Sequence, residues 1–589
     1  MEQPLEDTGP PAGGGAARGR WELAALGGAA AALIALASVI HFLVDDAYIT
    51  LRYARNWVEW GTPAFNAFEL APGGQPVEGF SNLLWTGLLA LLMGAGAPFP
   101  DLLPSLQLSI AVAVLVVQLR FVATELRLGR PGSLASVLLL ATSAPFVAWS
   151  TGGMETTLFT LLLTSLLVGL LRRGPDAGEG AAEGAGKGAA WLGVTAAALT
   201  AVRVEGVLWV AGVTGAVIAA EVLLSGEGAG ALARLRRRLA AVAVLSVAAV
   251  AAQLLWRHGV YGEWLPNTVA AKTGGGAEVL ARGLRQVGSW ALVCLTPVAA
   301  LALAPLALRH VDRRARVAAG ASLLVAAGFA AYNVLVGGDW MPFFRFLAPC
   351  TPALALAAAV GLDALPVGLG GALVLGLAAA QPLPLFDVHL APEGVRGTLR
   401  FRSFKGGYKS EAERVEVARQ NEENFGLLGQ ALAVGTQPGD VLAFGPIGSP
   451  GWYAPDLDFV DRNGLVTPAV ARREVEAGGT AGHEKRVPHA WFLDHGTPAP
   501  GLLYATWRPG AVREDRPAEL AAAKQAFMGQ GQTSRPEERP LFEGTRLRLL
   551  PIPLSSLPGG DPQARGFDDL TLFLFERTDP ETARRFWSR

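Results

Sequence analysis

A succession of long apolar runs limits this chain more than any other feature. They lie near 21–44, 104–124, 131–149, 153–171, 189–202, 206–224, 239–257, 286–308, 317–336, 346–364 and 367–385. A run of about 20 apolar residues crosses a bilayer as a helix, and lipid leaves the backbone only its own hydrogen bonds. The pair between 189 and 224 is short for that purpose. Composition agrees: 51% of the 589 residues are hydrophobic and 17% are charged, against about a quarter charged in soluble domains. The pattern predicts a mainly α, polytopic transmembrane fold. A net charge of −1 supplies no basic face for nucleic acid. Cys294 and Cys350 both fall in apolar runs, which gives neither a disulfide framework nor a thiolate zinc site.

The segment 1–20 is rich in Gly and Pro and is expected to be disordered. The run after it exceeds a signal-peptide core and is read as a retained span. Arg18, Arg20, Arg127, Arg130, Arg172, Arg173, the basic run 233–238 and Arg309 to Arg316 mark the cytoplasmic side. This assignment requires that the apolar stretch 83–97 re-enters or tilts without fully crossing. About 11 spans follow, with the N-terminus cytoplasmic. The transmembrane domain is then 21–385, with a first outer loop at 45–82. From 386 to 589 the composition turns polar, which predicts an extracytoplasmic α/β domain. A helix is expected near 410–433, and strands near 440–444, 457–460 and 570–575.

This topology places the unusual polar clusters on the outer side. Asp45 and Asp46 adjoin at the end of the first run, where a nearby cation or a shared proton would relieve their repulsion. They suit a divalent-cation site completed by substrate phosphate, a general base, or a solvated helix-end pair. Behind them, Ile49, Tyr53 and Trp57 recur at helical spacing, as in an amphipathic helix lying in the interface. Arg52 and Arg55 on it would bind phosphate or snorkel as anchors. Glu78 and Asn82 bound an apolar run, and Glu155 begins one, where an acid suits a helix N-terminus. Arg203 and Glu205 lie between apolar runs and suggest an ion pair or a functional pair. Trp264, Asn267 and Lys272 combine an aromatic, an amide and a cation, for an interfacial belt or a lipid-phosphate contact. Asp339, Trp340 and Arg345 pose the same choice, and Gly337-Gly338 before them suggests close backbone approach. In the outer domain, Asp461-Arg462-Asn463 and His483 to Arg486 are polar loops, while Trp452, Tyr453 and Trp491 are core residues or sugar-stacking rings.

Together these segments resemble a known family. DDAYITLRYARNW at 45–57, VEGFSNLLW at 77–85, GGMET, RVEG, YGEWLPNT with Lys272, and GGDWMPFFRFLAP at 337–349 are similar to the bacterial C-type glycosyltransferases. Within these, the similarity is greatest to the terminal β-arabinofuranosyltransferase group, whose extracytoplasmic domain DFVDRNGLVTPAVARR and GHEKRVPHAWFL also resemble. One departure is Asn66-Ala-Phe-Glu-Leu-Ala-Pro, where a shorter Asn-Pro-Gly turn is usual.

The resemblance implies a multi-pass enzyme of the bacterial cytoplasmic membrane. Such an enzyme moves a sugar from a polyprenyl-phosphate donor to a glycan or lipid-linked acceptor on the outer face. It implies that Asp45 or Asp46 is catalytic, as base or as ligand of magnesium, manganese or calcium, with no nucleotide or organic cofactor. Arg52, Arg55, Glu78, Asn82, Glu155, Arg203, Glu205, Trp264, Asn267, Lys272, Asp339 and Arg345 are then expected around donor phosphate and substrate. Trp452, Tyr453, Trp491 and His483 are expected on the acceptor. Hexose transfer to protein or lipid, a transporter, and a non-enzymatic assembly protein are the competing expectations.

Overall fold

The computed structural model describes residues 13–172, 181–225, 229–272, 277–310, 312–399, 408–474, 482–495, 501–528, 536–558 and 560–588. Among these, six helices are long and apolar enough to cross a membrane, or seven if one bent pair is a single span. The chain is a multi-pass membrane protein. The first helix runs Gly13–Ile40, so the backbone is already helical where a disordered tail to Arg20 was expected; residues 1–12 lie outside the described residues.

Several expected spans are shorter or interrupted. The run 131–149 forms two helices, Arg130–Ala141 and Ala144–Trp149, while 153–171 and 346–364 form Thr156–Leu171 and Thr351–Asp363. The run at 286–308 is not one continuous helix. Helices Ala277–Val293 and Leu295–Leu308 meet at 82° across Cys294, with Pro297 in the first turn of the second, where its missing N–H costs nothing. The 12-residue helix Leu83–Gly94 is only about 18 Å long at 1.5 Å per residue. It is too short to cross, in keeping with the re-entrant or tilted reading of 83–97.

The C-terminal domain, called the outer domain after its expected side, is built on a five-stranded mixed sheet. Its strands are β1 (Val441–Phe444), β2 (Asp458–Asp461), β3 (Gly501–Pro509), β4 (Thr545–Pro553) and β5 (Asp569–Arg577), in the order β2-β1-β3-β5-β4. β1 runs parallel to both β2 and β3, and β5 pairs antiparallel with β3 and β4. The expected helix is Glu411–Gly435. Ser410 and Glu413 close a capping box at its start.

Helix Asp45–Trp60 does not simply float in the interface. Its Ala47, Tyr48, Leu51 and Ala54 pack into the core of the helical bundle. Ile49 and Tyr53 instead join Phe65, Phe80 and Tyr261 in one core with sheet residues such as Leu442, Phe459 and Leu572. The helix is a wedge between the two layers. The first outer loop therefore belongs to the outer domain's core as much as to the membrane domain.

Polar fastenings complete the junction. Arg52 is fully buried and donates to the carbonyls of Phe65 (2.9 Å), Gly451 (2.6 Å) and Leu457 (2.8 Å). Asn66 pairs with the backbone of Phe459 in both directions, at 3.0 and 2.7 Å. The amides of Ala67 and Phe68 reach the Asp458 carboxylate at 2.7 and 3.3 Å. The longer Asn66 loop thus covers the open edge of β2, which would otherwise present unpaired backbone groups.

Replacing Arg52 by Leu would strip the guanidinium from the Gly451 and Leu457 carbonyls, at about 1–3 kcal/mol each before relaxation, while the Phe65 carbonyl keeps Asn56 Nδ2 at 3.2 Å. The expected outcome is a clear drop in thermal unfolding temperature in detergent, with faster amide exchange in 441–461. Arg52→Lys should not rescue it, because an ammonium lacks the planar fork that reaches several acceptors.

Candidate active site

Asp45 and Asp46 stand side by side in sequence and do different things. The Asp45 carboxylate accepts the backbone N–H groups of Gly448 (3.0 Å) and Ser449 (2.8 Å), where the loop that follows β1 runs into the short helix Gly448–Tyr453. Burial pushes its pKa up to about 7, with the neighbouring charge of Asp46 adding to the rise and the two amides opposing it. Asp46 is partly exposed, and among the described residues its carboxylate carries no hydrogen bond or ion pair.

Asp46 acts electrostatically on His483, more than 400 residues away in sequence. Burial lowers the His483 pKa, the charges of Lys272 and Arg486 lower it further, and Asp46 opposes them. The imidazole is therefore neutral at neutral pH. Its ring packs edge-on against Trp340 at 5.3 Å. Lys272 is exposed beside this group. A free carboxylate, a neutral imidazole, a cation and an indole thus converge where the outer domain meets the bundle.

A second polar array lies between helix ends next to it. Asn82 donates to Thr50 Oγ1 (3.2 Å) and Glu155 (2.9 Å), and Glu155 pairs with Arg203 at 3.0 Å. Arg203 also holds Glu205 at 2.7 Å. Its guanidinium lies 5.0 Å from the Phe346 ring, and that of Arg345 lies 4.9 Å from the same ring. Arg345 pairs with Asp339 at 2.8 Å. Gln286 clamps the backbone of Asp339, accepting its N–H at 2.7 Å and donating to its carbonyl at 2.8 Å.

The double glycine has the role that close approach requires. Gly337 and Gly338 adopt φ of 76° and 84°, and a Cβ on Gly338 would sit 2.4 Å from Gln286 Oε1. The structure therefore brings Asp46, His483, Lys272, Asn82, Glu155, Arg203, Glu205, Asp339 and Arg345 to one region.

Other candidates lie elsewhere. Arg52, expected at donor phosphate, spends its donors on carbonyls of the junction. Arg55 donates to the Trp452 carbonyl at 2.9 Å and lies 4.8 Å from that ring, so both serve the same junction. Tyr453 packs on Tyr48 at 6.0 Å, and Trp491 stacks on His495 at 4.3 Å, each inside the protein fabric instead of forming one sugar platform. Glu78 is in a buried ion pair with Arg257, 3.1 Å at its longer contact. Asn267 donates to the carbonyls of Gly464 and Leu465 at 2.7 and 2.8 Å, again tying the domains. Trp264 is exposed, stacked on His258 at 4.3 Å, and borders a separate cavity of ≈ 720 Å³ with Glu78. Arg257, Arg282 and Gln286 escaped the sequence reading. An arginine at the outer end of an apolar run was the available signal for Arg257.

The acid pair fits a resident divalent cation poorly. Asp45 has both oxygens engaged by amides, and among the described residues no three His, Cys, Asp or Glu side chains form a metal-sized cluster. Asp46 and substrate phosphate would have to supply the coordination.

No protein-family model matches the chain, and no curated protein matches it in sequence. Among solved structures, ArnT from Cupriavidus metallidurans in the apo state superposes with a TM-score of 0.51 at 13% identity, over 82% of this chain and 93% of that one. The same protein bound to undecaprenyl phosphate gives 0.49 at 12% identity, over 82% and 92%. Arabinofuranosyltransferase AftD from Mycobacteria gives 0.42 at 17% identity, over 75% of this chain and 32% of that one. The chain has the fold of the C-type glycosyltransferases.

Burial raises Asp45, Glu69 and Asp461 to about 7 each, from ordinary values of 3.8, 4.5 and 3.8. A carboxyl raised on folding binds its proton more tightly in the native state. Its contribution to stability is then full at acid pH and is lost as pH rises through that window. The unfolding temperature of the detergent-solubilised protein should fall from about pH 4 to about pH 7 and then level. Asp461→Asn should flatten part of that slope; an unchanged slope would show that Asp461 titrates normally.

Proposed function

We propose that this chain is a membrane glycosyltransferase that moves a sugar from a polyprenyl-phosphate donor to a glycan hydroxyl on the outer face of the bacterial cytoplasmic membrane. The observation that carries the reading is Asp46. Among the described residues its carboxylate has no hydrogen bond or ion pair, and it follows the first apolar run, beside a neutral imidazole and an exposed lysine, on a fold that C-type glycosyltransferases use. The arginine distribution supports the orientation, with the N-terminus cytoplasmic and the sheet domain outside. The motif resemblance in 45–85, 261–272 and 458–493 supports arabinofuranose as the donor sugar.

The chemistry follows from the groups present. Asp46 takes the proton of the acceptor hydroxyl as its oxygen attacks the anomeric carbon. A new C–O bond forms on one face of the sugar, the C–O bond to phosphate breaks on the other, and its electron pair leaves with polyprenyl phosphate. Lys272 meets the charge that develops on that phosphate. His483, uncharged, lowers no local basicity and orders the space next to Asp46. Asp45 acts as a positioning residue by seating the loop after β1. A divalent cation, if recruited, would use Asp46 with the phosphate oxygens, supplying charge neutralisation there.

The test uses purified protein in detergent with polyprenyl-phosphate arabinofuranose and polyprenyl-phosphate mannose as alternative donors. Asp46→Asn should lower transfer by about 10²-fold or more with folding retained. Lys272→Ala should cost about tenfold in kcat/KM, or about 1.4 kcal/mol. The anomeric configuration of the product should be inverted. Retained configuration, or an Asp46→Asn enzyme at wild-type rate, overturns the mechanism. Turnover of the mannosyl donor alone would reassign the sugar.

A further inference from the structure

The outer domain contains a cavity that the proposed chemistry does not use. It measures ≈ 530 Å³ and opens at the carboxyl ends of β1 and β3. β1 is the strand at which the order of the parallel strands reverses, with β2 on one side and β3 on the other. Ligands of open α/β sheets sit in the crevice outside such carboxyl ends. The same edge of the sheet carries the Gly448–Ser449 loop that seats Asp45. The cavity and the acid pair therefore flank one loop.

The floor of the cavity is a closed polar knot. Glu538 accepts from Arg462 (3.1 Å) and from both the backbone N–H (3.0 Å) and Nδ1 (3.1 Å) of His489, while Arg462 Nη1 meets His489 Nε2 at 3.0 Å. A neutral ring with its proton on Nδ1 satisfies all of these contacts. Burial and the Arg462 charge push the His489 pKa down to about 4, in keeping with that tautomer. The floor is thus rigid and close to charge-balanced.

The walls are aromatic: Phe425, Phe444, Tyr504 and Trp507. Trp507 is fixed by a 3.0 Å bond from its Nε1 to the Asn424 carbonyl and by stacking on Phe567 at 5.9 Å. Exposed Asn424 and Arg486 stand at the rim. Arg486 also faces His483, the neighbour of Asp46. Aromatic faces with amide and guanidinium groups at the edge match a ligand that is apolar on its ring faces and hydroxylated around them. An all-apolar ligand would strand the polar rim, and a polyanion would find Arg462 already spent on Glu538.

We propose that this cavity is the acceptor subsite, binding the end of an oligosaccharide that is neutral or singly anionic and leading it past the Gly445–Ser449 loop toward Asp46. This rests on the transferase reading for the word acceptor; the saccharide binding itself does not. Equilibrium binding, with no donor present, therefore separates the two. Full-length protein in detergent is titrated with the methyl glycosides of an arabinofuranosyl and of a mannosyl trisaccharide, followed by calorimetry. At least one should bind. Trp507→Ala should weaken it about tenfold or more, and Asn424→Ala, an exposed side chain outside the core, about threefold or more. Failure of both trisaccharides to bind overturns the proposal, as does equal binding by Asn424→Ala and wild type. Saccharide binding sensitive to both rim variants without turnover of any donor would uphold the site and sink the transferase reading. Turnover with an acceptor KM untouched by Asn424→Ala and Trp507→Ala would do the reverse.

Discussion

The outer half of the molecule depends on how one helix is gripped. Asp45 and Arg52 lie two turns apart on helix Asp45–Trp60, and each is held by backbone of the outer domain. Gly448 sits so close that a Cβ would fall 1.9 Å from the Asp45 carbonyl oxygen, so the loop after β1 is pressed directly onto the helix. Among the described residues Arg52 has no carboxylate within ion-pair distance; carbonyl dipoles hold its buried charge, and burial lowers its pKa to about 9. A buried cation held by carbonyls and by the rings of Phe65 and Phe459 tolerates little displacement, because each lost contact exposes desolvation cost. The helix consequently cannot rotate or slide without releasing the domain above it.

That fixation explains why two neighbouring acids diverge. Successive helical residues point about 100° apart. Seating Asp45 in the β1 loop therefore turns Asp46 out of that contact and toward His483. The repulsion expected of the pair falls on Asp45, whose pKa the neighbouring charge of Asp46 helps to raise. Asp45 is bound by the two amides and raised toward neutrality, while Asp46 faces His483. A group that must take a proton benefits from this, since its partner no longer competes for the same counter-charge.

Much of this was legible in the sequence because it is written in local patterns. Apolar runs gave the membrane class, and unusual charges between them gave the region where Glu155, Arg203, Glu205, Asp339 and Arg345 gather. What local pattern cannot carry is partnership at long range. Asp45 with Gly448, Asp46 with His483, Glu78 with Arg257 and Arg282 with Glu484 each join distant segments. Arg52 and Arg55 have the composition of phosphate ligands, and only the seated domain shows that their donors are spent on carbonyls. The broken helices were illegible for a related reason: hydropathy measures apolar length, while the 82° bend at Cys294 depends on packing. Strands β3 and β4 passed unseen, although GLLYATWRP and TRLRLLPIP carry β-branched and aromatic residues between breakers. The unusual Asn66 loop was visible as a departure, yet its meaning required the β2 edge that it covers.

The segment 337–346 then ties the two polar regions into one. It holds four positive-φ residues, including the non-glycines Phe343 at 48° and Phe344 at 53°. Such backbone persists only where its surroundings over-determine it, and here they do. Gln286 clamps Asp339, Glu411 accepts the Phe343 amide at 2.6 Å, and Arg414 donates to the Trp340 carbonyl at 3.0 Å. Arg282 bridges the Gly337 carbonyl at 2.8 Å and Glu484 at 2.7 Å, beside His483. One face of this segment thus sets Phe346 between Arg203 and Arg345, and the other sets Trp340 against His483. The bundle and the outer domain each supply part of the clamp. Neither could keep the segment in this shape alone, so the geometry around Asp46 is a property of their junction.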